Sequence, residues 1–113
     1  MIQPRPDDIL EIDCRGTRIR TTRRVIAKGK KSPIEEDFVF YRLFDPKCAE
    51  YLAPERDGSV KIDAHPTYIQ CLIAGLDCDS EESRDRNWIE FEDKYDSKMA
   101  NHWWYEFLEK YDK

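Results

Sequence analysis

Six residues of this 113-residue chain carry side chains suited to metal binding or nucleophilic attack: Cys14, Cys48, Cys71, Cys78, His65 and His102. The cysteines stand singly, without the Cys-x-x-Cys pairing of a zinc site, so a metal centre would need distant residues to converge. Small buried thiols in a reducing compartment are the better reading, and neither metal nor cofactor is expected. An enzyme would need a nucleophile with a base and oxyanion donors, or clustered metal ligands. Asp63 and His65 come nearest, but two residues apart ahead of Pro66 they read as a helix cap and a surface residue. No catalytic residue is expected, and the chain does not read as an enzyme. The remaining chemistry is cationic. Arg18, Arg20, Arg23, Arg24 and Lys28 would serve a nucleic acid if they were free of acidic neighbours.

The net charge is −5, unevenly spread: residues 1–31 carry nine Lys/Arg against four Asp/Glu, residues 32–76 four against eight, and residues 77–113 six against twelve. An acidic whole repels phosphate at long range, which disfavours nucleic acid and favours a solvated basic face. A basic first third and an acidic last third attract each other, within one chain or between two. No apolar run approaches the roughly 20 residues that span a bilayer. The start, MIQPRPDD, lacks the apolar core of a signal peptide. No membrane partner is expected, and the expected location is cytoplasmic or nuclear. The chain's length fits one domain, and its 40% hydrophobic and 12% aromatic content suffices for an ordinary core.

The elements that must position these residues centre on Asp57 to Gly75. Asp57-Gly58 is a hairpin-type turn signal, and Val60 and Ile62 alternate with Ser59, Lys61 and Asp63 as in a strand with one buried face. Pro66 then opens a helix in which Ile69, Leu72, Ile73 and Leu76 recur at i, i+3, i+4 and i+7, with Gly75 near its end. Upstream, Leu10, Ile12 and Cys14 share one face of a strand, Arg15-Gly16 supplies a turn, and TRIRTT returns with Arg18 and Arg20 outward. Thr21 or Thr22 caps a short helix from Arg23 to Lys28 with Gly29 as its stop, and Lys28 to Lys31 form a mobile link.

Ser32, Pro33 and Glu35 read as a capping box for the next helix, which Asp45-Pro46 breaks. Its aromatic face is wide, and Phe40, Tyr41 and Phe44 are candidates for a partner surface. KCAEYLAP is short helix or irregular chain. DCDSEESRDR reads as an acidic link. Beyond it Trp88, Phe91, Tyr95, Met99, Trp103, Phe107 and Tyr111 recur every three or four residues, with a cap at Asp96-Ser97 dividing two helices. Trp104 and Leu108 lie off that stripe and join the candidate partner surface. Residues 1–8 read as an extended tail.

Two blocks resemble a BTB/POZ domain of the tetramerisation type found in voltage-gated potassium channels and related adaptor proteins. The first runs from Ile9 through the turn at Gly16 to Thr21-Thr22-Arg23. The second is Asp57-Gly58, Val60, Ile62-Asp63, Pro66, Tyr68, Ile69 and Leu72. The chain departs from the family where Arg15 replaces one of two usual glycines and Ala64-His65 replaces Arg-Asp. The family's zinc-binding histidine and cysteine cluster is absent. The resemblance implies an α+β domain: a small mixed sheet of three to five strands surrounded by four to six helices. Residues 9–78 would be its core, and residues 79–113 a helical extension packed on the same domain. It also implies self-association, from dimer to pentamer, and binding of another protein, with a substrate-adaptor role toward a cullin ubiquitin ligase among the implied functions. Arg15, Arg18, Arg20, Arg23, Asp63 and His65 are the candidate self-association surface.

Overall fold

A computed structural model describes residue 5 and residues 7–112. The tail expected over residues 1–8 lies outside the described residues at positions 1–4 and 6. The fold is α+β, with a three-stranded mixed sheet and, among the described residues, five α-helices.

Strand β1 (Ile9–Cys14) pairs antiparallel with β2 (Thr17–Thr22), setting Ile12 opposite Ile19 and Cys14 opposite Thr17. The turn between them holds Arg15 at φ 52° and Gly16 at φ 93°, the left-handed pair that a two-residue hairpin requires. Asp13 Oδ1 accepts from the Gly16 amide at 2.8 Å. Strand β3 (Val60–Lys61) adds to the other side of β1, parallel to it, in the order β2-β1-β3. Asp57-Gly58 is a turn, with Gly58 at φ 87°, but it does not make a hairpin. The chain beyond it crosses to β1, whose buried Ile12 sits beside Val60.

Thr22 caps α1 (Arg23–Ala27), its hydroxyl accepting from the Val25 amide. The α-helix ends just before Gly29, as expected, with Lys28 as its C-cap, but Gly29 is not a left-handed stop. Residues Lys28–Lys31 form an ordered 3-10 turn in which Gly29 is buried, and a Cβ there would lie 2.4 Å from the Asp37 carbonyl oxygen. The glycine is needed for close backbone approach. Helix α2 (Glu35–Arg42) begins later than a cap at Ser32 would give: Ser32 Oγ accepts from the Ile34 amide and donates to Asp37, not Glu35.

Helix α3 (Pro66–Leu76) starts at Pro66 as expected, and Ile69, Leu72 and Leu76 are buried. Its cap is His65, whose Nδ1 accepts from the Thr67 amide at 3.2 Å. Helix α4 (Glu81–Tyr95) takes most of the supposed acidic link. Ser80 caps it, and Glu81 and Glu82 occupy its first turn, where negative charge favours the helix dipole. The expected break falls at Asp96, whose φ is 71° and whose side chain caps α5 (Ser97–Tyr111) by accepting from the Lys98 amide. That break resets the helical phase, and Met99, expected on the stripe, is exposed.

One core joins all layers: Ile12, Cys14 and Ile19 of the hairpin, Ile62, Val39 and Phe40, the inner face of α3, and Phe91, Ala100 and Phe107 from the last two helices. Phe107 packs against Phe40 and Tyr68 at ring-centroid distances of 6.4 and 5.7 Å. This corrects two of the five candidate partner residues. Phe40 and Phe44 are only 0% and 5% exposed: Phe107 of α5 packs on Phe40, and Phe44 packs edge-on against Phe40 within the core. No helix among the described residues is long and apolar enough to cross a membrane.

Candidate interaction face and groove

The hairpin turn, the entry to α3 and one side of α5 converge on a single surface. Asp63 accepts from Arg15 Nε at 2.8 Å and from the Lys110 ammonium, and Arg15 also donates to Glu106. The Asp63 amide donates to the Tyr111 hydroxyl at 2.8 Å. The hydrogen bond from Lys110, then that from Arg15, holds the Asp63 carboxyl below its ordinary range, while Asp63 and Glu106 raise the Arg15 guanidinium. His65 stacks on Trp103. Burial lowers its imidazole below its ordinary value, Arg15 lowers it further, and Glu106 opposes both. Arg15, Asp63 and His65 are thus brought together. Glu106, Lys110, Tyr111 and Trp103 join them without having been singled out as site residues. Their spacing on α5 was the available signal, since residues three and four apart share a helix face.

The other arginines stand elsewhere. Arg18 donates to Asp57 at 2.6 Å and lies 3.8 Å from Glu11, which also accepts from Arg20 at 2.9 Å. Arg23 is half-buried, 3.9 Å from Asp8, and donates to the Phe44 carbonyl. Lys28 lies 4.0 Å from Asp77. Four of the five cations a nucleic acid would need free therefore have acidic neighbours; among the described residues the exposed Arg24 is the exception.

Of the remaining candidate partner residues, Tyr41 donates to Asp45 at 2.6 Å, which together with burial pushes its phenol up to about 12. Trp104 and Leu108 are half-buried against the core, and Trp104 meets the exposed Tyr105 edge-on at 4.9 Å.

A second feature was not read from the sequence: a groove of about 390 Å³ between the start of α2, α3 and α4, walled by Ile34, Leu72, Trp88 and Ile89. Tyr68 lies at its base. The residue is 1% exposed, and its hydroxyl is buried without a hydrogen-bond partner among the described residues. Burial and the neighbouring Glu36 charge raise the phenol far above its ordinary value. Beside the groove the fully buried Asp37 accepts from Ser32 and from Arg84 of α4. The Cys14 and Cys71 thiols are pushed up to about 12 and about 11, chiefly by burial, which makes them weak nucleophiles at neutral pH. Among the described residues no three His, Cys, Asp or Glu side chains gather closely enough to hold a metal ion.

Comparison with protein-family models, with curated proteins and with solved structures finds no match to this chain.

Proposed function

We propose that the chain is a protein-interaction domain of BTB/POZ type that self-associates and binds another protein, with a cullin as the candidate second partner, in the cytoplasm or nucleus. One observation carries the reading. The two stretches on which the resemblance rests, residues 9–23 and 57–72, are separated by more than thirty residues of unlike sequence. They nevertheless meet in one sheet, β3 lying parallel on β1 with α3 leading directly from it. The face carrying Arg15, Asp63 and His65 offers ion pairs that are largely solvent-exposed. Such pairs are cheaply exchanged for pairs to a second subunit, because exposed charges gain little from any one partner.

A nucleic-acid role has less support, since Arg18, Arg20, Arg23 and Lys28 are already beside carboxylates. Light scattering behind size exclusion, with and without a cullin N-terminal domain, tests the proposal. A mass of two to five chains, and a further increase when the cullin domain is added, is expected. A single-chain mass under both conditions rejects it.

A further inference from the structure

The groove lined by Tyr68 combines three features. Its walls are largely apolar, with Ile34, Leu72, Trp88 and Ile89 lining it alongside Asn87 and Arg84. At its base is a buried hydroxyl without a partner among the described residues, a state that favours any occupant able to hydrogen-bond with it. Its rim is acidic: Glu36 and Asp85 border it, and it runs on past Ile34, Gly75 and Arg84 into a second hollow of about 410 Å³ bordered by Asp79 and Glu81. Arg84, the one cation lining the groove, is engaged with the buried Asp37; Lys28, which lines the second hollow, lies beside Asp77, and Arg86 beside Glu82.

We infer that this groove receives an arginine side chain from an extended basic segment of a partner protein. An anion would meet the acidic rim, and a purely apolar side chain would leave the Tyr68 hydroxyl unsatisfied. A lysine ammonium is compact and strongly hydrated, and it gives up that hydration poorly between apolar walls. Arginine meets all three features. Its methylene stem covers Ile34 and Leu72, its planar cation stacks on an indole, and its several N–H donors serve the Tyr68 oxygen and the rim carboxylates together. The continuation past Gly75 gives the rest of the segment a path along α4. The inference rests on the protein-interaction reading and names the chemistry of one partner.

The test uses the full chain, ¹⁵N-labelled, titrated with a blocked hexapeptide bearing one central arginine and with the same peptide bearing citrulline, which keeps the shape and loses the charge. Saturable shifts at the Trp88 indole and the Leu72 amide are expected, with the citrulline peptide about tenfold weaker, as for loss of a charged hydrogen-bonding partner. Tyr68→Phe, which removes only an unpartnered hydroxyl, should keep the wild-type melting temperature and weaken the arginine peptide several-fold. The pair Glu36→Gln and Asp85→Asn should weaken it similarly. Equal binding of the two peptides, no saturable shift at millimolar peptide, or undiminished binding by Tyr68→Phe overturns the inference. Light scattering on the same samples separates the two claims. A self-associating chain that ignores the peptide loses only the groove assignment, and a monomer that binds the peptide loses only self-association.

Discussion

The imidazole of His65 lies flat on the indole of Trp103, ring centroids 3.8 Å apart and planes 13° from parallel. Its Nδ1 meanwhile accepts the Thr67 amide at the start of α3. One side chain thus caps α3 and ties it to α5, and the cap needs an unprotonated Nδ1, because a protonated nitrogen cannot accept the Thr67 amide. Because folding lowers its pKa below the ordinary 6.5, the unfolded chain binds the extra proton first. Its contribution is complete above 6.5 and is lost as pH falls from there through the depressed folded value. His65→Asn keeps a good cap but removes this dependence. The melting temperature of the wild type should fall across that window and that of the variant should stay level; parallel curves would show that His65 does not titrate with folding.

Arg84 and Asp37 couple α4 to α2 through a pair whose acid is wholly buried. Arg84→Met leaves that carboxylate with only Ser32 and should cost about 3 to 5 kcal/mol, the usual result of orphaning a buried charge. Adding Asp37→Leu should restore most of the loss. Denaturant titration decides it: a double variant no better than Arg84→Met would mean the pair is not the linkage.

Gly29→Ala places a methyl group 2.4 Å from the Asp37 carbonyl oxygen. Backbone must move to admit it, at about 1 to 3 kcal/mol as for other overpacked sites. An unchanged urea midpoint would show that the 3-10 turn does not pack on α2 in solution.

Leu72, 4% exposed, sits in the core with Ile62 and Ile69, while Ile73 packs half-buried at its edge. Leu72→Ala should cost about 2 to 5 kcal/mol, read from thermal or urea unfolding. A loss no larger than that of an exposed-site control would remove α3 from the core.

What could be read in advance followed local chemistry. The alternation of Ile12 and Cys14 with Asp13, the glycine of the β1–β2 turn, Pro66 at the start of α3 and the cap at Asp96 are written in neighbouring residues, and each element formed where they stand. The misreadings arose where tertiary packing decided. Gly29 does follow the end of α1, but the reason for the glycine is tertiary: it admits the Asp37 backbone. The acids from Asp77 to Asp85 looked like a link, although Ser80 is a cap and Glu81 and Glu82 suit a first turn. Phe40 looked surplus because nothing local shows that Phe107 of α5 packs on it, and Phe44 because nothing local shows that it joins the same core. The groove at Tyr68 was illegible for the same reason, being made by residues from three helices, and the swap of roles between Asp63 and His65 depended on Lys110 and Trp103, more than thirty residues away.

The proposed function turns on self-association, and Trp104 offers a handle on it, since it is half-buried beside the exposed Tyr105. Sedimentation velocity over a micromolar concentration series, at low and high salt, tests the claim most directly. Charges exposed at an interface are screened over about 8 Å at physiological ionic strength. Assemblies of two or more chains are expected at low salt, dissociating as salt rises, and weakened by Trp104→Ala in a variant that still melts cooperatively. A chain that sediments as a monomer at high micromolar concentration and low salt would contradict it.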